Sequence, residues 1–131
     1  MNVHRLQLRT LPERLAICRL DPDEPVPEWA ASGEFFAVTR TANELSVVCP
    51  EADVPEGINA ERGRRALYVF VDGAIDFGIV GVIATLTVPL AHAGIPVFVI
   101  STFDTDYLLI NDSELTRAVE VLVRSGHGVS D

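Results

Sequence analysis

Cysteine is scarce in this 131-residue chain: Cys18 and Cys49 are the only two, and each lies inside an apolar run. Neither has a histidine at zinc-ligand spacing, so the expectation for both is a small core side chain. There is no basic stripe either. The formal net charge is −9 and the pI about 4.6. Nucleic-acid binding needs clustered cations to displace counterions, so it is excluded as a function class. Anionic membrane surfaces are disfavoured for the same reason. The opening "MNVHRLQLRTLPERLAICRL" lacks a continuous apolar segment and a small-residue cleavage site, so no signal peptide is expected. The longest apolar stretch, "FGIVGVIATLTVPLA", runs 15 residues and contains Pro89, which is short for a membrane span. These absences together predict a soluble, cytoplasmic protein with no membrane partner.

What is present is a globular pattern. Apolar residues make up 48% of the chain and fall in well-separated clusters, enough for one domain or two small fused repeats. "RLAICRL" (14–20) reads as a strand, and "DPDEPVPEWAA" as an acidic, proline-rich connector with one helical turn around Glu28–Ala31. "EFFAVTR" and "ELSVVC" form a hairpin, followed by the polar segment "PEADVPEGINAERGRR" (50–65), which its Pro and Gly mark as a linker. "ALYVFVD" (66–72) is a β-branched, aromatic strand. A helix is expected over "FGIVGVIATLTVPLAHAG", closed by Gly94 in a left-handed position. "IPVFVIS" and "YLLIN" are two more strands. The last helix, "DSELTRAVEVLVRSG", takes Asp112 or Ser113 as its cap and presents Leu115, Ala118, Val119, Leu122 and Val123 on its apolar face.

The chain also resembles itself. "FFAVTRTANELSVVCP" lies over "VFVISTFDTDYLLIND" without a gap, residue 35 over residue 97, an offset of 62. In that register Glu44 lies over Asp106, while Thr102, Phe103 and Asp104 stand where Arg40, Thr41 and Ala42 do. "LAICRLD" lies over "LYVFVDG" at an offset of 52. The expectation is a duplicated β-α-β-β unit whose first helix is worn down to a turn, with repeats at 1–60 and 61–131. A β-α-β-β repeat with a closing helix gives an antiparallel sheet with helices on one face, an α+β fold of the ferredoxin-like kind. Residues 79–93 carry apolar side chains nearly all round, which predicts a helix buried on two sides, by its own sheet and by the other repeat or a second subunit.

The segments "GVIA" (81–84), "PLAHAGI" (89–95) and "FVISTFDTDYLLI" (98–110) resemble the second repeat of the tandem ACT-domain proteins, which include small bacterial two-repeat proteins and the CASTOR-type arginine sensors. The match is near-continuous over about a quarter of the chain. Val80 departs from it, standing where a threonine is expected. The resemblance implies the ACT fold and a non-enzymatic regulatory or sensor module. Such a module binds an amino acid or similar small effector at a repeat or subunit interface and forms a homo-oligomer, a dimer being expected. Residue by residue it implies Gly81, Val82, Ile83, Thr102, Phe103 and Asp106 as ligand contacts. The residues themselves agree with the place. A strand-to-helix loop offers free backbone N–H groups for a carboxylate, with Gly78 and Gly81 permitting close approach. An ammonium or basic side chain needs carboxylates, and Asp72, Asp76, Asp104 and Asp106 are the candidates.

The blander readings use the same residues. Asp104 and Asp106 fit a turn whose side chains bond nearby backbone. Asp72 and Asp76 have no nucleophile, histidine or phosphate loop beside them, so neither catalysis nor a cofactor is expected. His92 suits the negative end of its helix, and His4 and His127, near the termini, are expected to be solvated. Trp29 is expected to cover the first sheet where the helix is lost. A structural module that dimerises and docks on a partner protein without a ligand is the alternative function.

Overall fold

The computed structural model describes residues 5–70 and 81–131. The chain divides into two compact units, Glu13–Arg64 and a C-terminal unit of Met1–Pro12 with Arg65–Asp131. That division falls inside the strand Ala60–Val69. Asp72, Asp76 and Gly78 lie outside the described residues.

The 13–64 unit is built on β2 (Leu15–Leu20), after the short N-terminal strand β1 (Gln7–Thr10). The hairpin β3 (Ala37–Arg40) and β4 (Leu45–Pro50) follows, and β5 begins at Ala60. β4 is antiparallel to both β2 and β3, with Cys18 opposite Val47 and Ala16 opposite Cys49. This alternation turns Ala16, Cys18, Leu20, Leu45, Val47 and Cys49 to one face, where they form the core with Ala30. The 3₁₀ turn Glu28–Ala31 stands where a full crossover helix would, and Trp29 packs on this core, as the sequence suggests. The segment 50–65 is not a linker. It forms a 3₁₀ turn at Glu51–Asp53 and then the first half of β5 (Ala60–Val69), held by Glu51, whose carboxylate accepts from the Gly63 N–H at 2.6 Å and pairs with Arg14 at 3.2 Å.

In the C-terminal unit β1 is antiparallel to β5, Leu8 facing Val69, and parallel to β8 (Gly128–Ser130). β6 (Phe98–Ser101) and β7 (Asp106–Asn111) form the second hairpin. The helices α1 (Val82–His92) and α2 (Leu115–Arg124) share one core with the sheet. Leu86, Leu90, Ala118 and Leu122 meet Leu8, Leu67, Val69, Leu108 and Ile110 there. Both helices close on a glycine in the left-handed region, Gly94 (φ 73°) and Gly126 (φ 101°). The residue after each glycine donates back to the carbonyl five positions earlier, Ile95 to Leu90 at 3.0 Å and His127 to Leu122 at 3.1 Å. His127 is therefore not solvated: it is 3% exposed, in the slot that Ile95 fills on α1.

One helix detail departs from expectation. The last helix is entered through a 3₁₀ turn, Asp112–Glu114, and the capping side chain is Asn111, whose Oδ1 accepts from the Ser113 N–H and hydroxyl. Asn wins because its short amide reaches the N–H two residues on. On α1 only Val82, Leu86 and Leu90 are buried. Its outer side, with Ala84 and Ala91 exposed and Val88 49% exposed, is left uncovered by the described residues.

The hairpins also correct the internal alignment. β3 matches β6 and β4 matches β7 at an offset of 61, not 62, and the 3₁₀ turns after them, starting at Glu51 and Asp112, keep the same offset. A slip of one residue would exchange the faces of a strand, placing Cys49 of the core opposite an outward position. In the true register Thr41 lies over Thr102 and Ala42 over Phe103.

Candidate functional site

The β6–β7 turn is organised by one hydroxyl. The Thr102 N–H donates to the Thr105 carbonyl at 2.7 Å, the Thr102 hydroxyl donates to the same carbonyl at 3.1 Å, and Thr102 Oγ1 accepts from the Thr105 N–H at 3.1 Å. Thr41 does the same work in the first hairpin. Its N–H donates to the Glu44 carbonyl at 2.9 Å and its Oγ1 accepts from the N–H groups of Asn43 and Glu44 at 3.1 Å. The Thr102 side chain is therefore explained by the turn itself. Because the two hydroxyls hold equivalent turns, Thr41→Val and Thr102→Val are each expected to cost about 1 kcal/mol in urea unfolding. A Thr102 variant that loses nothing would assign its hydroxyl a role outside the frame.

The side chains around the turn are placed differently. Phe103, at the tip, is 79% exposed, where the first hairpin carries Ala42. Asp106 is half-buried and pairs with Ser101 across the ladder. Thr105 turns inward and its hydroxyl donates to the Val69 carbonyl at 2.7 Å, fixing the turn to the end of β5. The next residue, Phe70, holds the Arg9 guanidinium 3.5 Å over its ring, and its N–H donates to the Gln7 carbonyl at 2.7 Å. On the same strands Tyr68 and Tyr107 stack, centroids 5.2 Å apart at 27°. Burial raises the Tyr107 phenol above its ordinary value, with smaller contributions from Tyr68 and Asp104.

Gly81, exposed and with φ 83°, is the N-cap of α1; Val82 beneath it is buried and Ile83 half-buried. The structure thus brings Thr102, Phe103, Asp104 and Asp106 together on one turn, anchored at the residue pair Val69–Phe70. It places Gly81, Val82 and Ile83 on the first turn of α1. Arg9, Tyr68, Phe70 and Tyr107 escaped the sequence reading, although "LYVF" carries the alternation that puts two aromatics on one face. Arg9 had no such signal, because β1 spans four residues only.

Elsewhere, Cys18 and Cys49 are both buried free thiols. A hydrogen bond between the two thiols lowers the Cys18 thiol against the opposing effect of burial and, together with burial, raises that of Cys49. Among the described residues no three His, Cys, Asp or Glu side chains cluster as a metal site would require, and no helix is long and apolar enough to cross a membrane.

An α+β chain of two hairpin-bearing units, one with both helices on a single sheet face, is the ferredoxin-like ACT architecture. The family model for the ACT domain matches residues 61–124, and the chain is a member of the ACT-domain family. A separate family model, for an N-terminal domain, matches residues 13–57. A crystal structure of a protein from Agobacterium tumefaciens is 32% identical, with a TM-score of 0.91, over 98% of this chain and 95% of that one. A Vibrio cholerae protein of unknown function, described as a possible transport protein, gives 17% identity and a TM-score of 0.76 over 92% and 90% of the two chains. The regulatory subunit of aspartate kinase from Thermus thermophilus, in its ligand-free form, gives 12% and 0.60 over 90% and 95%. At those last identities the likeness is one of fold. No protein of curated function matches the sequence.

Proposed function

We propose that the chain is a non-enzymatic regulatory ACT protein that binds a small molecule, an amino acid by class. In this reading the ligand contacts are the first turn of α1 (Gly81, Val82, Ile83), the β6–β7 turn (Thr102, Phe103, Asp106), and Asp76 and Gly78 on the segment between β5 and α1. The observation that carries it is the ACT match over residues 61–124, which spans both turns. The Thr105–Val69 bond supports it, because it fixes one turn beside the strand from which that segment departs. Regulatory domains of aspartate kinases share the fold, which favours regulation over catalysis. The ligand's carboxylate would take the free N–H groups at the start of α1, and its ammonium the acid of Asp106.

A thermal-shift screen of the twenty amino acids tests this. A true ligand at a hundredfold excess over its Kd is expected to stabilise the protein by about 2.7 kcal/mol, and Asp106→Ala should abolish the shift. No shift with any of the twenty would count against the reading.

The second reading is an ACT-fold interaction module that dimerises and docks without a ligand. It is favoured by the apolar side chains left exposed on α1 and β6, where Val88, Phe98 and Val99 are 49%, 37% and 38% exposed. A stable dimer by light scattering that ignores every amino acid would favour it.

A further inference from the structure

His127 occupies a position that helix-closing geometry ordinarily gives to an apolar side chain, as Ile95 shows on α1. A buried imidazole in such a slot must have both nitrogens accounted for. Nδ1 accepts from the backbone N–H of Leu6 at 3.1 Å, which leaves the proton on Nε2. Nε2 is buried and has no hydrogen-bond partner among the described residues; the backbone of Thr85 is the polar group that acts on the imidazole against the effect of its burial.

Thr85 is no arbitrary neighbour. In an α-helix its carbonyl would accept from the N–H four residues on, and that residue is Pro89, inside α1, which has none. The Thr85 hydroxyl does not replace it, since it donates back to the Gly81 carbonyl at 2.8 Å. The helix therefore has a carbonyl without its usual partner, on the residue whose backbone acts on the buried imidazole.

We propose that His127 is a proton-sensitive latch: neutral, it accepts from Leu6 and presents Nε2–H to the Thr85 carbonyl that Pro89 orphans, and a second proton, on Nδ1, breaks the bond to Leu6 and loosens β1. The consequence travels along the strand. The carbonyl of Leu6 accepts from Gly128, and that of Gln7 from Phe70, so freeing Leu6 slackens the pairing of β1 with β8 and with the end of β5.

The groups around the latch set the direction. Burial lowers the pKa of the imidazole and the Thr85 carbonyl opposes it; among the described residues no carboxylate, guanidinium or second imidazole acts on it. On the elements packed against it, Arg9 is engaged with Phe70, and Arg5, His92 and Arg124 are exposed. Above about pH 6.5 the histidine is neutral in folded and unfolded chains alike, and stability is full. As pH falls below that value the unfolded chain takes a proton that the folded latch resists, so stability declines until the lowered folded value is passed.

The experiment uses the whole chain. Nitrogen-15 NMR at pH 8 should show the Nε2–H tautomer, with a titration midpoint below 6.5. The hydrogen-exchange protection of the Leu6 amide should fall by roughly tenfold or more between pH 7.5 and 5, while that of Leu122 holds. In His127→Gln, whose amide keeps a donor and an acceptor but cannot titrate, the extra loss of Tm between those pH values, about 4 °C in the wild type, should disappear. An Nδ1–H tautomer, or Leu6 protection that tracks Leu122 at both pH values, overturns the proposal. Both of those readouts come from the wild-type chain, so they decide even if the variant does not fold.

Discussion

Leu86→Ala is expected to destabilise the C-terminal unit by about 3 kcal/mol. Leu86 is fully buried and sits mid-helix between Val82 and Leu90, the two other residues of α1 that are buried. Truncation removes the transfer free energy of three carbons and leaves a cavity that the stiff surroundings, Leu67, Leu108 and Leu122 among them, fill only in part. Two residues on, the outward Val88 gives the contrast. In an isolated chain Val88→Asp should change urea-unfolding stability by no more than about 0.5 kcal/mol, as an exposed position does. If α1 is instead covered by a second copy, the same substitution buries a carboxylate in an apolar contact and dissociates the dimer. Unfolding free energy and molar mass, measured on both variants, separate core from interface. A Leu86→Ala protein as stable as the parent would mean that α1 does not pack as described.

Gly33→Ala is expected to cost about 1–3 kcal/mol, by overpacking. A Cβ at Gly33 would stand 2.7 Å from Pro50 Cγ and 2.9 Å from its Cδ. Real Cβ atoms do not tolerate such separations, and a proline ring, closed on its own backbone, cannot swing away. Gly128 is the control. There the nearest atoms belong to the amide end of Gln7, a flexible exposed side chain that can move aside, so Gly128→Ala should be nearly neutral. Equal costs at the two positions, in denaturant titrations of both, would show that backbone entropy rather than Pro50 governs Gly33.

The legible parts of the fold are those where local signals are dense. The two hairpins, the 3₁₀ turn at Glu28 and the final helix come from alternation, turn residues and the 3.6-residue stripe, all local properties. β1 and β8 do not, because four and three residues carry no periodicity and their pairing is set by partners far along the chain. The internal alignment slips by one residue because apolar strands match almost as well in either register. The discriminating signal is the threonine at each turn, Thr41 over Thr102, whose hydroxyl has a geometric task. His127 reads as solvated because it lies near the C-terminus, whereas Gly126 beside it signals the helix-closing motif that buries the next side chain. Of the candidate site, the turn residues and the helix start are readable as positions. Thr105 and the Arg9–Phe70 pair are not, since only the folded sheet brings β1, β5 and the turn together.

β6 has a consequence for how the protein behaves in a tube. Among the described residues it hydrogen-bonds β7 alone, and it exposes Phe98 and Val99, on opposite faces of the strand. A short bare edge of that composition is a template for end-on addition of further chains. Nothing on the strand itself blocks this, for no Asp, Glu, Lys or Arg lies between Asp76 and Asp104. The remaining safeguard is the mutual repulsion of molecules that each carry a charge of −9 near neutrality. That repulsion fades as the medium is acidified toward the isoelectric point of about 4.6, so resistance to edge-to-edge association falls over the same acid range in which the His127 latch loosens.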